Sequence, residues 1–115
     1  MPAIDLSNLP NIPYVYSGST PATVNTCQLI IVPNRPGVVL TIHNRSKATK
    51  ELRMSFDPTL TQGGAAPATW FTIDVSHEIY IDGAAWSGFT GNYTMAFFSD
   101  SASVIYELLF SSAVR

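Results

Sequence analysis

Glu51-Leu52-Arg53-Met54-Ser55-Phe56 alternates without a break, with Leu52, Met54 and Phe56 on one side and Glu51, Arg53 and Ser55 on the other. Successive side chains of an extended chain point to opposite faces, so this period of two marks a β-strand with one buried and one wet face. Upstream, residues 38–44 repeat the pattern, Val38, Leu40 and Ile42 against Val39, Thr41 and His43, and residues 45–50 form the turn between the two runs. Residues 24–32 read as an earlier strand, stopped by Pro33-Asn34-Arg35-Pro36-Gly37, where two prolines and a glycine force a turn.

Downstream, residues 57–67 form a loop through Gln62-Gly63-Gly64. Residues 69–75 then alternate again, and residues 78–82 turn Ile79 and Ile81 inward. A glycine-rich turn over residues 83–91 carries Trp86 and Phe89; residues 92–98 and 103–110 complete the set, read as a hairpin across Ser99-Asp100-Ser101. No segment keeps a helical period with caps. Short strands separated by turn chemistry predict an all-β fold, an antiparallel β-sandwich with jelly-roll winding as one option, or a small barrel.

Residues 1–21 differ from the β domain of residues 22–115. Pro2, Pro10, Pro13 and Pro21 exclude helix and interrupt pairing, yet Ile4, Leu6, Leu9, Ile12, Tyr14 and Tyr16 are too apolar for a solvated tail. An extended N-terminal arm is expected, docked on its own domain or, preferably, on a neighbouring subunit; without it the β body should still fold.

The last strand adds to this. Val104, Tyr106, Leu108 and Phe110 share one face, while Ile105 and Leu109 flank Glu107 on the other, so neither face is polar. A sandwich covers only one face of each sheet, which makes Ile105 and Leu109 candidate contacts to another chain. Composition agrees: of 115 residues only 12% are charged and 46% are hydrophobic, with a net charge of −2. Sparse charge favours association, so a homo-oligomer is expected.

Other classes are poorly served. No apolar run approaches a membrane span, and Met1-Pro2-Ala3-Ile4-Asp5 lacks the basic and apolar regions of a secretory signal, so synthesis in a reducing cytoplasm is expected. With Lys47 and Lys50 as its only lysines, the chain offers no clustered cations for nucleic acid. Nucleophile elbows, phosphate loops and H-E-x-x-H are all missing. Cys27, His43 and His77 lack a metal-ligand or nucleophile–base spacing, so no catalytic residue, metal or cofactor is expected. Asn44-Arg45-Ser46 and Asn92-Tyr93-Thr94 are sequons that a chain rich in Asn, Ser and Thr produces by chance. Trp70, Tyr80, Trp86, Phe89 and Tyr93 could form a sugar platform, although core or subunit contact is the commoner use of such rings.

Pro33-Asn34-Arg35, Val39-Leu40-Thr41-Ile42-His43-Asn44-Arg45-Ser46 and Met54-Ser55-Phe56-Asp57 resemble small β-sandwich virion proteins of tailed bacteriophages, in which an Asn-Arg turn leads into a strand ending in Asn-x-Ser. Ile81-Asp82-Gly83-Ala84-Ala85-Trp86-Ser87-Gly88 resembles the same group's turn before a W-x-G step, and residues 104–109 its final strand. The likeness spans residues 22–110. Pro36 after the arginine, and His43 where glutamine is commoner, depart from it. The resemblance implies a capsid decoration or cement protein on the virion surface, often trimeric, whose partner is the major capsid protein. Asn34, Arg35 and Asn44 would then be structural turn residues, and Trp86 and Phe89 a contact loop. A tail or fibre component, or a carbohydrate-binding module using exposed aromatic residues, is the alternative.

Overall fold

The computed structural model describes residues 3–8, 12–32, 38–46, 50–57, 59–82 and 93–112. These described residues form nine strands: β1 (Ile4–Asp5), β2 (Tyr14–Ser19), β3 (Gln28–Val32), β4 (Val38–Asn44), β5 (Leu52–Ser55), β6 (Phe71–Ile73), β7 (Glu78–Asp82), β8 (Tyr93–Phe98) and β9 (Ile105–Ser112). They form a five-stranded sheet, β1-β3-β8-β5-β6, and a four-stranded sheet, β2-β9-β4-β7. Apart from the parallel β1–β3 edge, all ladders are antiparallel. The fold is an all-β sandwich.

The pairings β2/β9, β3/β8, β4/β7 and β5/β6 are nested inside one another, as though one long hairpin had been folded over itself. From β2 to β9 every connection except β5 to β6 changes sheet. The core lies between the sheets. Ile30, Val32, Leu52, Met54, Ile73, Met95 and Phe97 enter it from the five-stranded side; Leu40, Ile42, Tyr106, Leu108 and Phe110 enter from the four-stranded side. Phe97 stacks on Tyr106 across the gap, with centroids 4.5 Å apart. The alternation in β4, β5 and β9 is therefore what sets the two inner faces.

Three expectations change. The described part of residues 1–21 docks on its own domain, not the preferred neighbour: β1 extends the five-stranded sheet, β2 forms the edge of the four-stranded sheet, and Leu6 is buried in the core. Pro13 and Pro21 flank β2 instead of interrupting it, leaving a proline-free strand whose Tyr14 and Tyr16 pack on the core. Nor are β8 and β9 a hairpin, since they lie in opposite sheets. Both strands have full apolar faces to bury, and facing each other across the core does this; the intervening chain crosses the end of the sandwich. There Ser99 Oγ donates to the Glu51 carbonyl, and Val104 N–H donates to Thr20 Oγ1. Third, the strand expected over residues 24–32 begins only at Gln28, preceded by a turn in which Asn25 takes a φ of 57°.

Residues 59–70 cover the outer face of the five-stranded sheet. Leu60 and Ala66 pack on Cys27, Ala96 and Phe98, a second small core behind the first. The same segment closes the free part of the β3 edge: Cys27 N–H donates to Gly64 O, Gly63 N–H to Cys27 O, and Leu29 N–H to Gln62 Oε1. The five-stranded sheet is thus packed on both sides.

Candidate interaction face

The outer face of the four-stranded sheet has no such cover among the described residues. Its side chains follow from register: Val15, Leu109, Thr41 and Tyr80 form one row across β2, β9, β4 and β7, and Ser17, Glu107, His43 and Glu78 form the next. Val15 is 61% exposed, Tyr80 68%, Ile105 45% and Leu109 37%. An apolar row therefore runs beside a charged one, with Ile105 beyond it. Val15, Thr41, His43, Glu78, Glu107 and Leu109 line a shallow depression at the centre.

Glu107 organises the charged row. Its carboxylate meets His43 Nδ1 at 3.0 Å and Arg45 Nη1 at 3.4 Å, a half-exposed group that offers both signs of charge to a partner. At the end of the row the Tyr80 hydroxyl donates to Glu78 Oε1 at 2.9 Å, and that carboxylate holds the phenol above its ordinary pKa.

The sequence-derived contact residues divide between this face and the core. Ile105 and Leu109 lie on the face. Leu6 is core, and Ile4, Tyr14 and Tyr16 pack against it, so these four are built into the chain's own sandwich. Ile12 is half-buried. Leu9, Trp86, Phe89, Asn34 and Arg35 lie outside the described residues. Val15 was hidden by the proline reading of its segment, although alternation with Tyr14 and Tyr16 places it outward.

Asn44 is fully buried where β4 ends. Its Nδ2 donates to the Lys50 and Ile73 carbonyls, and its Oδ1 accepts from Ser46 N–H. Ile73 belongs to the opposite sheet, so this one amide ties the two sheets together. An enclosed side chain is also no acceptor for a glycan, whatever its triplet.

The residues weighed for metal or nucleophilic chemistry are not brought together. Cys27 sits under residues 59–70, its thiol pushed up by burial. His43 is on the opposite outer face, held by Glu107, and His77 Nδ1 contacts the Val75 carbonyl. Trp70 lies edge-on to Phe98 and carries the Arg53 guanidinium 4.6 Å above its ring, so one of its faces is already occupied.

Comparison with protein-family models, curated proteins and solved structures finds no match to the chain. Among the described residues no helix is long and apolar enough to cross a membrane.

Proposed function

We propose that the chain is a non-enzymatic structural protein of a virion, a capsid decoration or cement protein that acts as an oligomer and lies on the major capsid lattice. The observation that carries the reading is the uncovered outer face of the four-stranded sheet, in a molecule whose other sheet is packed on both sides. Covering what remains exposed of Val15, Tyr80, Ile105 and Leu109 would contribute a part of the ~1.5–3 kcal/mol that full burial of an exposed large apolar side chain brings, before ordering costs. Modest at one site, that gain repeats over every lattice position.

Two further points support it. The sequence resembles small virion proteins of tailed phages over residues 22–110, and the nested strand order reads as a jelly roll, a winding that viral capsid domains share with lectins. Fold alone decides no function, so the weight stays on the face. The prolines and apolar residues of residues 1–21 suggested attachment through an N-terminal arm; with β1 and β2 built into the sandwich, the face takes that role.

Co-sedimentation with capsids stripped of the protein tests the reading. Wild type should pellet with the particles, and Leu109→Asp, which places a carboxylate in the apolar row while leaving the core intact, should not. Failure of wild type to bind, or glycan-array binding that Leu109→Asp leaves unchanged, would overturn it.

A further inference from the structure

The two sheets have four edges, and three of them resist pairing with another chain. β1 is two residues long and ends in Asp5, whose carboxylate is engaged by the Ser7 backbone and hydroxyl. β6 has three residues. β7 begins with Glu78, a charged residue of the kind that keeps a sheet edge from pairing.

β2 is the exception. Its six residues, Tyr-Val-Tyr-Ser-Gly-Ser, carry no charge and no proline, and it stands at the end of its sheet with β9 as its only neighbour among the described residues. Natural sheets normally protect an edge of this length with charges, prolines or bulges. We infer that β2 is a self-pairing strand, through which two copies of this chain join antiparallel about a two-fold axis at Ser17, forming one continuous eight-stranded sheet.

The register follows from three features. Thr20 N–H bonds to Val104 O, so by the antiparallel alternation the even positions of β2 face β9, and the N–H and C=O groups of Val15, Ser17 and Ser19 point to the open edge. Centring on Ser17 pairs Ser17 with its copy and Val15 with Ser19 of the second copy, giving about six backbone hydrogen bonds. On the inner side the same register sets Tyr16 opposite Gly18 of the second copy, so that the two Tyr16 rings, each already lying against its own Gly18, do not face each other directly.

Charge is compatible with this arrangement. The two Glu107 carboxylates would lie three strand spacings apart, about 14 Å, beyond the range over which exposed charges interact strongly at physiological salt. The two outer faces would then lie on the same side, doubling the area available for docking. Two-fold pairing closes at two copies, so it gives a dimer in place of the trimer expected from the resemblance. It deepens the oligomeric part of the proposed function and is independent of what the face binds.

Light scattering on a sizing column should give twice the 12.5 kDa chain mass for wild type. Ser17→Glu, which would put two carboxylates opposite each other on the axis, should weaken association by at least about tenfold. Ser17→Pro, which removes an outward N–H that β9 does not use, should act likewise, with circular dichroism unchanged for both. Ser17→Cys should give an oxidised dimer on a non-reducing gel, while Val15→Cys and Ser19→Cys, each facing an unsubstituted position, should give little. A monomeric or trimeric wild type, or a dimer that persists in both folded Ser17→Glu and folded Ser17→Pro, would overturn the inference. Capsid co-sedimentation is read separately: a dimer that fails to pellet refutes the lattice and spares the pairing.

Discussion

Replacing Tyr106 with phenylalanine removes a single oxygen from the middle of the sandwich, and the structure says that oxygen is a liability. Tyr106 is fully buried, and its hydroxyl has no hydrogen-bond partner among the described residues. Enclosing an unpaired hydroxyl costs about 1–3 kcal/mol. The stack on Phe97 would survive the change, and the void left is smaller than a methyl group. Tyr106→Phe should therefore stabilise the fold by about 1 kcal/mol, raising Tm by about 4 °C for a domain of this size. Burial, with a smaller contribution from Tyr16, also holds the hydroxyl well above the ordinary tyrosine value of 10.0. The folded chain keeps this proton while the unfolded chain releases it above pH 10. Wild type therefore loses about 1.4 kcal/mol for each further pH unit on account of this group, and the variant does not. Thermal and urea unfolding followed by circular dichroism, at neutral pH and above pH 10, measure both effects. A lower Tm at neutral pH, or a difference that fails to widen on the alkaline side, would refute the reasoning. Gly18 supplies a control: a Cβ there would lie 2.9 Å from Tyr16 Cε2 and 3.0 Å from Tyr106 Oη, so Gly18→Ala should destabilise wild type more than it destabilises the phenylalanine variant.

Asn44→Ala strips partners from the Lys50 and Ile73 carbonyls and the Ser46 N–H at once, and should cost about 3 kcal/mol or more in urea unfolding; a cost below about 1 kcal/mol would mean that the amide does not tie the sheets. Removing residues 1–21 takes away β1, β2 and Leu6 and uncovers the β9 edge, so the truncated chain should show no cooperative thermal transition; a sharp transition near that of wild type would restore the arm without which the β body still folds.

Period two is a local property, and the sequence shows it plainly where one face must be wet. Leu52 and Met54, Leu40 and Ile42, and Tyr106, Leu108 and Phe110 could each be assigned to the core before any strand had a partner. The same arithmetic left Ile105 and Leu109 on a second face and so pointed to half of the exposed apolar residues of the uncovered sheet. Pairing is not local. Nothing in residues 92–110 says that β8 and β9 belong to different sheets, because either arrangement buries the same alternate residues. Ala96 and Phe98 gave no outward-facing polar signal either, since residues 59–70 cover them, and that segment reads in sequence as a loop of small residues. At the N-terminus four prolines weighed against pairing, while the strand that forms lies between two of them.

The nesting of the strand pairs sets an order for synthesis. β2 leaves the ribosome well before its partner β9 (Ile105–Ser112), with β3 to β8 made in between. The innermost pair, β5 with β6, can close first, and the outer pairs follow as each distal strand emerges, so the four-stranded sheet cannot be completed until β9 has been made. Throughout that interval Tyr14–Ser19 has two open edges instead of one, and in a polysome it is surrounded by identical nascent strands. Keeping this uncharged stretch from pairing too soon is then a demand on the cell, and the yield of folded protein should depend on elongation rate and chaperone supply more than on the stability of the finished sandwich.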